Sequence, residues 1–188
     1  NYKNTFGKHS IDLTAVATRD RKKYEMIETT GSNFAANGNT TLGTNGLHKA
    51  TVQKVNMDNN QRSNIGYLGR ASYSYDDRYF FTGSYRRDGA SVFGVNQKWG
   101  DFFAFGGAWR LSSEKFMSSI SYLEDLKLKV SWGKNGNQGL DPYGTLSTIN
   151  NGASGGVRYE FGGSDIIYGL NQKALGNANL GWETTESW

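Results

Sequence analysis

Histidines, paired carboxylates and glycine-rich turns are the residues from which chemistry would have to come. The 188 residues include 2 His and no Cys, so there is no thiolate for a metal site, a disulfide or nucleophilic catalysis. His9 and His48 each stand alone in a turn or loop, without neighbouring ligands. Asp76-Asp77 and Glu124-Asp125 are the adjacent carboxylates a hydrolase dyad would need. Neighbours on a strand point to opposite faces, however, and neighbours in a tight turn face water. Gly133-Lys-Asn-Gly-Asn-Gln-Gly139 has the composition of a phosphate-cradling loop but neither the Walker spacing nor a helical pattern behind it. Asp58-Asn-Asn60 offers oxygen ligands without the spaced Gly and terminal Glu of a calcium loop. The residues predict no enzyme, no bound metal and no cofactor.

The elements that hold these residues are more informative. From Asn64 to Gly133 four long segments alternate with period two, the signature of strands with unlike faces. Tyr67, Ala71, Tyr73 and Tyr75 oppose Asn64, Arg70, Ser72 and Ser74; after Asp76-Asp77-Arg78, Tyr79, Phe81 and Tyr85 oppose Thr82, Ser84, Arg86 and Asp88. A three-residue turn puts Tyr75 against Tyr79 and Tyr73 against Phe81, so the apolar faces coincide; a two-residue turn would mismatch them. The next pair sets Phe103, Phe105 and Trp109 against Ala104, Ala108 and Arg110, then Leu126, Leu128, Val130 and Trp132 against Lys127 and Lys129. About ten such residues, tilted, cross the apolar band of an outer-membrane barrel. The predicted fold is all-β, an antiparallel transmembrane barrel of which about 6 or 7 strands are present.

Composition agrees. The chain has 25 Gly, 14% aromatic and 36% hydrophobic residues; a barrel strand hides its apolar half by alternation, so negative mean hydropathy is no obstacle. The net charge of +4 comes from scattered Lys and Arg with no basic stripe, which argues against nucleic-acid binding. Connections alternate in length: residues 6–8, 76–78 and 113–123 read as periplasmic turns, the last with a helical turn capped at Ser113. Residues 21–62, 89–98 and 135–174 read as extracellular loops, as barrels distribute them. The ends of the first long loop, near Tyr24 to Ile27 and Ala50 to Val55, extend the flanking strands. A short strand is expected near Val157, and Leu175 to Trp188 reads as a turn feeding a strand. Too few strands are present to close a barrel alone, so the chain is expected to be a fragment.

Facing follows from parity. Tyr67, Tyr73, Tyr75, Tyr79, Phe81, Tyr85, Phe103, Phe105, Trp109, Leu126, Leu128, Val130 and Trp132 are assigned to membrane lipid or its interfacial girdle, where an aromatic ring suits both phases. Arg70, Thr82, Ser84, Arg86, Asp88, Arg110, Lys127 and Lys129 are assigned to a polar lumen. In the loops, Phe34, Phe93, Tyr143, Tyr159 and Tyr168 are candidates for stacking on a ligand or partner.

Several pieces resemble one family: Tyr67-Leu-Gly-Arg-Ala-Ser-Tyr-Ser-Tyr75, Tyr85-Arg-Arg-Asp-Gly-Ala-Ser-Val-Phe93, Trp109-Arg-Leu-Ser-Ser-Glu114, Leu126-Lys-Leu-Lys-Val-Ser-Trp-Gly133, Gly136-Asn-Gln138 and Leu175-Gly-Asn-Ala-Asn-Leu-Gly-Trp-Glu183. In this order they resemble the SusC/RagA family of TonB-linked outer-membrane transporters of Bacteroidota. The resemblance covers Asn64 to Trp188 well and Tyr2 to Asp20 in pattern; Ala178 departs from it, since the family usually has Pro there. It implies a barrel of 22 strands with a plug, energised by TonB. A SusD-like surface lipoprotein would lid the barrel over an oligosaccharide or peptide. The other reading of the strands is a soluble β-sandwich, a carbohydrate-binding module, whose strands would be shorter and its turns more regular.

Overall fold

A computed structural model of the chain describes residues 1–34, 40–117, 124–151, 157–160, 162 and 166–188. Its main sheet runs β1 (Tyr2–Phe6), β2 (His9–Ser32), β3 (Val52–Tyr75), β4 (Tyr79–Ala90), β5 (Trp99–Arg110), β6 (Lys127–Asn137) and β11 (Glu183–Ser187), neighbours in that order. Every register in it that is defined is antiparallel. Between β6 and β11, β7 (Thr148–Asn151) pairs with β10 (Leu170–Ala174), and β8 (Arg158–Glu160) with β9 (Ile166–Tyr168). None of the described helices is long and apolar enough to cross a membrane.

The turn at Asp76 has the register that face matching requires: Tyr75 pairs with Tyr79 and Tyr73 with Phe81. Asp76 and Asp77 both have positive φ, 53° and 52°, the left-handed backbone of a primed hairpin turn, which a short polar side chain tolerates better than a branched one. Arg78 N–H closes the turn onto the Tyr75 carbonyl at 3.0 Å.

Two compact units are resolved, Asn1–Asp20 with Ser63–Trp188, and Arg21–Arg62. In the second, much of the stretch expected to be loop is strand, since β2 runs to Ser32 and β3 starts at Val52. The strand continuations expected near Tyr24 to Ile27 and Ala50 to Val55 are there and run further, since pairing of the two strands satisfies the backbone groups of their facing edges whatever the side chains are. Arg21 donates to Gln61 at 2.8 Å and Asn56 to Glu28 at 3.1 Å across it. At its tip a 3₁₀ segment, Thr40–Lys49, turns the chain. There Phe34, Leu47 and Ala50 converge on Gly31, where any Cβ would be crowded.

In the first unit the buried apolar side chains are few: Ala90, Val92, Phe93 and Phe102 among the described residues. A sandwich would bury one face of each sheet along its whole length. Here Phe81, Phe105, Leu128 and Val130 are all exposed, so nothing among the described residues forms a second layer on that face.

Candidate functional site

The register of the paired strands sorts most side chains by face, with Arg87 and Asp101 the charged pair on the aromatic face and Phe80 a ring on the polar one. From Tyr79 across to Trp109 and Leu128, from Phe81 to Gly107 and Val130, and from Gly83 to Phe105 and Trp132, each row puts directly opposed residues on one face. That face carries Tyr67, Tyr73, Tyr75, Tyr85 and Phe103 as well. Its rings touch: Tyr75 stacks on Tyr79, Tyr79 on Trp109, and Phe105 on Trp132 at centroid distances of 6.5, 6.3 and 6.2 Å. Leu126 lies one residue before β6, so strand parity does not fix it.

The opposite face carries the rows Arg70, Ser84, Ala104, Gly133 and Ser72, Thr82, Gly106, Ser131. Thr82 donates to Ser72 at 3.3 Å. Arg86 Nε lies 2.6 Å from Asp88 Oδ2. Arg110 and Lys127 share that face with Phe80, their cationic groups 5.6 and 3.7 Å from its ring centre, a cation–π arrangement that sequence parity alone does not show.

The end of the sheet with short turns is tied by a network centred on Glu114. Its carboxylate accepts from Tyr79 Oη at 2.7 Å and Trp109 Nε1 at 3.1 Å, with Arg78 at 3.6 Å. These donors, first the Tyr79 hydroxyl, hold the Glu114 carboxyl below the usual range, so it is ionised at neutral pH and its hydrogen bonds are charge-assisted. Asp76 meets Lys8 at 3.1 Å and Arg78 at 3.2 Å. Backbone bonds from Asp76 to Lys8 and from Arg110 to Arg78, both 2.7 Å, complete the link between three successive connections. Where a helical turn was expected, two 3₁₀ turns, Leu111–Ser113 and Lys115–Met117, position Glu114. Residues Ile120 and Leu123, part of that expectation, lie outside the described residues.

At the other end, the β4–β5 connection folds onto the segment before β11. Phe93 is 2% exposed and its ring centre lies 4.8 Å from that of Trp182. Trp182 donates to the Lys98 carbonyl at 3.2 Å, and Gly94 N–H to the Leu180 carbonyl at 3.0 Å. A Cβ at Gly94 would strike the Ala178 carbonyl, so glycine is required by close approach. Phe93 therefore serves packing, and its expected role as a ligand contact is corrected: no ligand reaches a ring this enclosed. Phe34 is likewise turned to its own loop at Gly31. Tyr143 and Tyr159 are exposed, and Tyr168 enters only as the backbone partner of Arg158.

Neither His9 nor His48 joins a metal cluster, and among the described residues no three His, Cys, Asp or Glu converge. His9 Nδ1 lies 2.7 Å from Tyr73 Oη, and its ring is stacked against Phe6.

Comparison with known proteins gives a consistent answer. No family model matches the chain. TonB-dependent receptor SusC of Bacteroides thetaiotaomicron is 33% identical over 144 residues, 75% of this chain and 14% of that protein. TonB-dependent receptor P39 of Formosa agariphila is 31% identical over 98% of this chain and 17% of its own length. Among solved structures, the RagAB peptide importer in a closed-closed state superposes with a TM-score of 0.73 at 23% identity, over 98% of this chain and 19% of the importer chain. The chain thus spans under a fifth of the length of the relatives it matches.

Proposed function

The chain belongs to the SusC/RagA family of TonB-dependent receptors, a receptor segment and no enzyme, and from that premise we propose that it forms part of the wall of an outer-membrane barrel that actively imports a nutrient. The carrying observation is the two-facedness of β3 to β6, kept in register across all four strands. The apolar face, with Tyr67, Phe81, Phe105 and Val130, lies against lipid, and the face with Arg70, Ser84, Arg86 and Lys129 lines an aqueous lumen. Short turns at Gly7 and Asp76 lie in the periplasm and the long connections outside.

What the wall does mechanically is hold still. β4 lies between β3 and β5, with defined registers on both sides, and pairing of this kind is the condition for a stretch of backbone to sit in hydrocarbon; β6 pairs with β5 over Lys127–Gly133 and with β11 over Gly133–Asn137. The Glu114 network fixes the turns that would face the energising machinery. By family resemblance the substrate is an oligosaccharide or peptide, and the partners are a SusD-like surface lipoprotein and the TonB complex.

The test is uptake by the full-length receptor in cells. Deleting its gene should abolish energised import of its nutrient, restored by the wild-type gene and lost again when TonB is inactivated. Import that persists without TonB or proton-motive force would overturn the reading.

A further inference from the structure

The aromatic face changes character near its long-connection end. Arg87 and Asp101 oppose each other there, one row beyond Tyr85 and Phe103. Arg87 Nε lies 3.7 Å from Asp101 Oδ1, and both side chains are half-exposed. Tyr85 Oη donates to the same oxygen at 2.6 Å. The Arg87 guanidinium lies over Trp99, 5.3 Å from its ring centre, and Tyr67 stacks on Trp99 at 6.5 Å. A second cation joins this face. Thr18 lies against Gly66 and Asp20 accepts from Asn64, both on the polar side, so Arg19 between them is on the aromatic side.

Depth gives these charges a meaning. Tyr79, stacked on Tyr75 and Trp109, marks the girdle at the short-turn end of β4. At about 3.4 Å per residue and a tilt of about 40°, the path from Tyr79 to Arg87 rises about 21 Å, against an apolar band about 25 Å tall. Arg87 and Trp99 therefore reach the headgroups of the outer leaflet. An arginine fork has more N–H donors than one carboxylate facing Nε can accept, and at that depth a lipid phosphate is an acceptor of matching geometry.

Below Arg87 lies room for a chain. On the same face a groove of about 770 Å³ runs over Leu13, Ala15, Gly69, Ala71, Gly83 and Tyr85. A Cβ on Gly69 would meet nothing within 4 Å, so the floor of the groove is open there. Gly69 is diagonal to Arg87, because the register sets Arg87 against Tyr67.

We infer that this stretch of wall holds one phosphorylated lipid of the outer leaflet, its phosphate on Arg87 with Arg19 beside it, and an acyl chain in the groove over Gly69. The inference rests on the wall reading above and goes beyond it. General contact with lipid needs only an apolar surface, whereas a cation at headgroup level above an open groove selects one headgroup chemistry. Asp101 positions the guanidinium through Nε, and Trp99 covers one of its faces. Its remaining edge is left for the phosphate.

The test uses the full-length receptor in phosphatidylcholine vesicles, with any cysteine elsewhere replaced and a bimane on Phe103→Cys. Phe103 pairs with Tyr85 on the same face. Quenching by phosphatidic acid brominated on its acyl chains is compared with quenching by the diacylglycerol of the same chains. Phosphatidic acid should occupy the site about tenfold more strongly, and the preference should fall below about twofold in Arg87→Gln. Gly69→Leu keeps every charge and grows into open space, so it should weaken phosphatidic acid binding about fivefold by filling the groove. Heat-modifiable mobility confirms folding, and Gly69→Leu decides the matter if Arg87→Gln does not fold. Equal quenching by the two lipids, binding unchanged in either folded variant, or displacement of the lipid by millimolar inorganic phosphate would overturn the site and leave the wall standing. Quenching by neither lipid would put the face outside the membrane and sink both.

Discussion

Arginine at Phe81 should weaken insertion and folding of the intact barrel by about 2 kcal/mol, while arginine at Ser84 should cost less than about 1 kcal/mol. The two positions lie on one strand. Phe81 pairs with Tyr73 and Gly107 on the apolar face, and Ser84 with Arg70 and Ala104 on the polar face. A lipid-facing arginine costs about 2 to 4 kcal/mol at the bilayer midplane and about 0 to 1 near an interface. Phe81 follows closely on the turn at Asp76, which lowers its share of that cost, but losing the ring's own contact with lipid adds to it. At Ser84 the new guanidinium stays hydrated and meets only Arg70, a like-charge neighbour worth about 0.2 to 1 kcal/mol. A lipid-refolding titration reads the difference. Equal or reversed costs would mean that the faces are exchanged.

The second large effect is expected far from the membrane. Phe93→Ala removes the most enclosed side chain of the cluster formed with Ala90, Val92, Leu140 and Trp182, and substitutions of that kind cost about 3 to 5 kcal/mol. The barrel strands do not depend on it, so the cost should appear as local opening of the rim rather than as global unfolding. Amides of residues 89–98 and 177–182 should exchange together and faster, because Gly94 bonds Leu180, Asn96 bonds Asn179 and Trp182 bonds Lys98. Exchange unchanged in both segments would contradict this coupling between them.

Much of this was legible before the structure. Alternation with period two gave the strands from Asn64 to Gly133, and the demand that apolar faces coincide gave the three-residue turn at Asp76, because a one-residue slip inverts a strand. What escaped was set by contacts distant in the chain. Glu114 carries no signal in its neighbours; only the fold brings Tyr79, Trp109 and Arg78 to it. Phe93 looked like a free loop aromatic because Trp182, the ring that encloses it, belongs to another segment. Within residues 21–62 the strand continuations expected near Tyr24 to Ile27 and Ala50 to Val55 are present in β2 and β3, and only their reach, to Ser32 and back to Val52, went beyond what composition suggests. The cavity of about 480 Å³ beside Asn64 on the polar face draws on five strands, β2 to β6, a convergence that no local pattern reports.

The most direct measurement places a spin label on either side of one strand. Val130 and Ser131 are successive residues of β6, paired with Gly107 and Gly106 and so on opposite faces. These 188 residues contain no cysteine, so Val130→Cys and Ser131→Cys each add one labelling site to this stretch, and the measurement is made in a receptor from which any cysteine elsewhere has been replaced. In the reconstituted receptor the label at 130 should be relaxed strongly by oxygen, which partitions into hydrocarbon. The label at 131 should be relaxed by a water-soluble nickel chelate. The same preference at both positions, or the chelate at 130 and oxygen at 131, would contradict a wall with lipid on one face and water on the other.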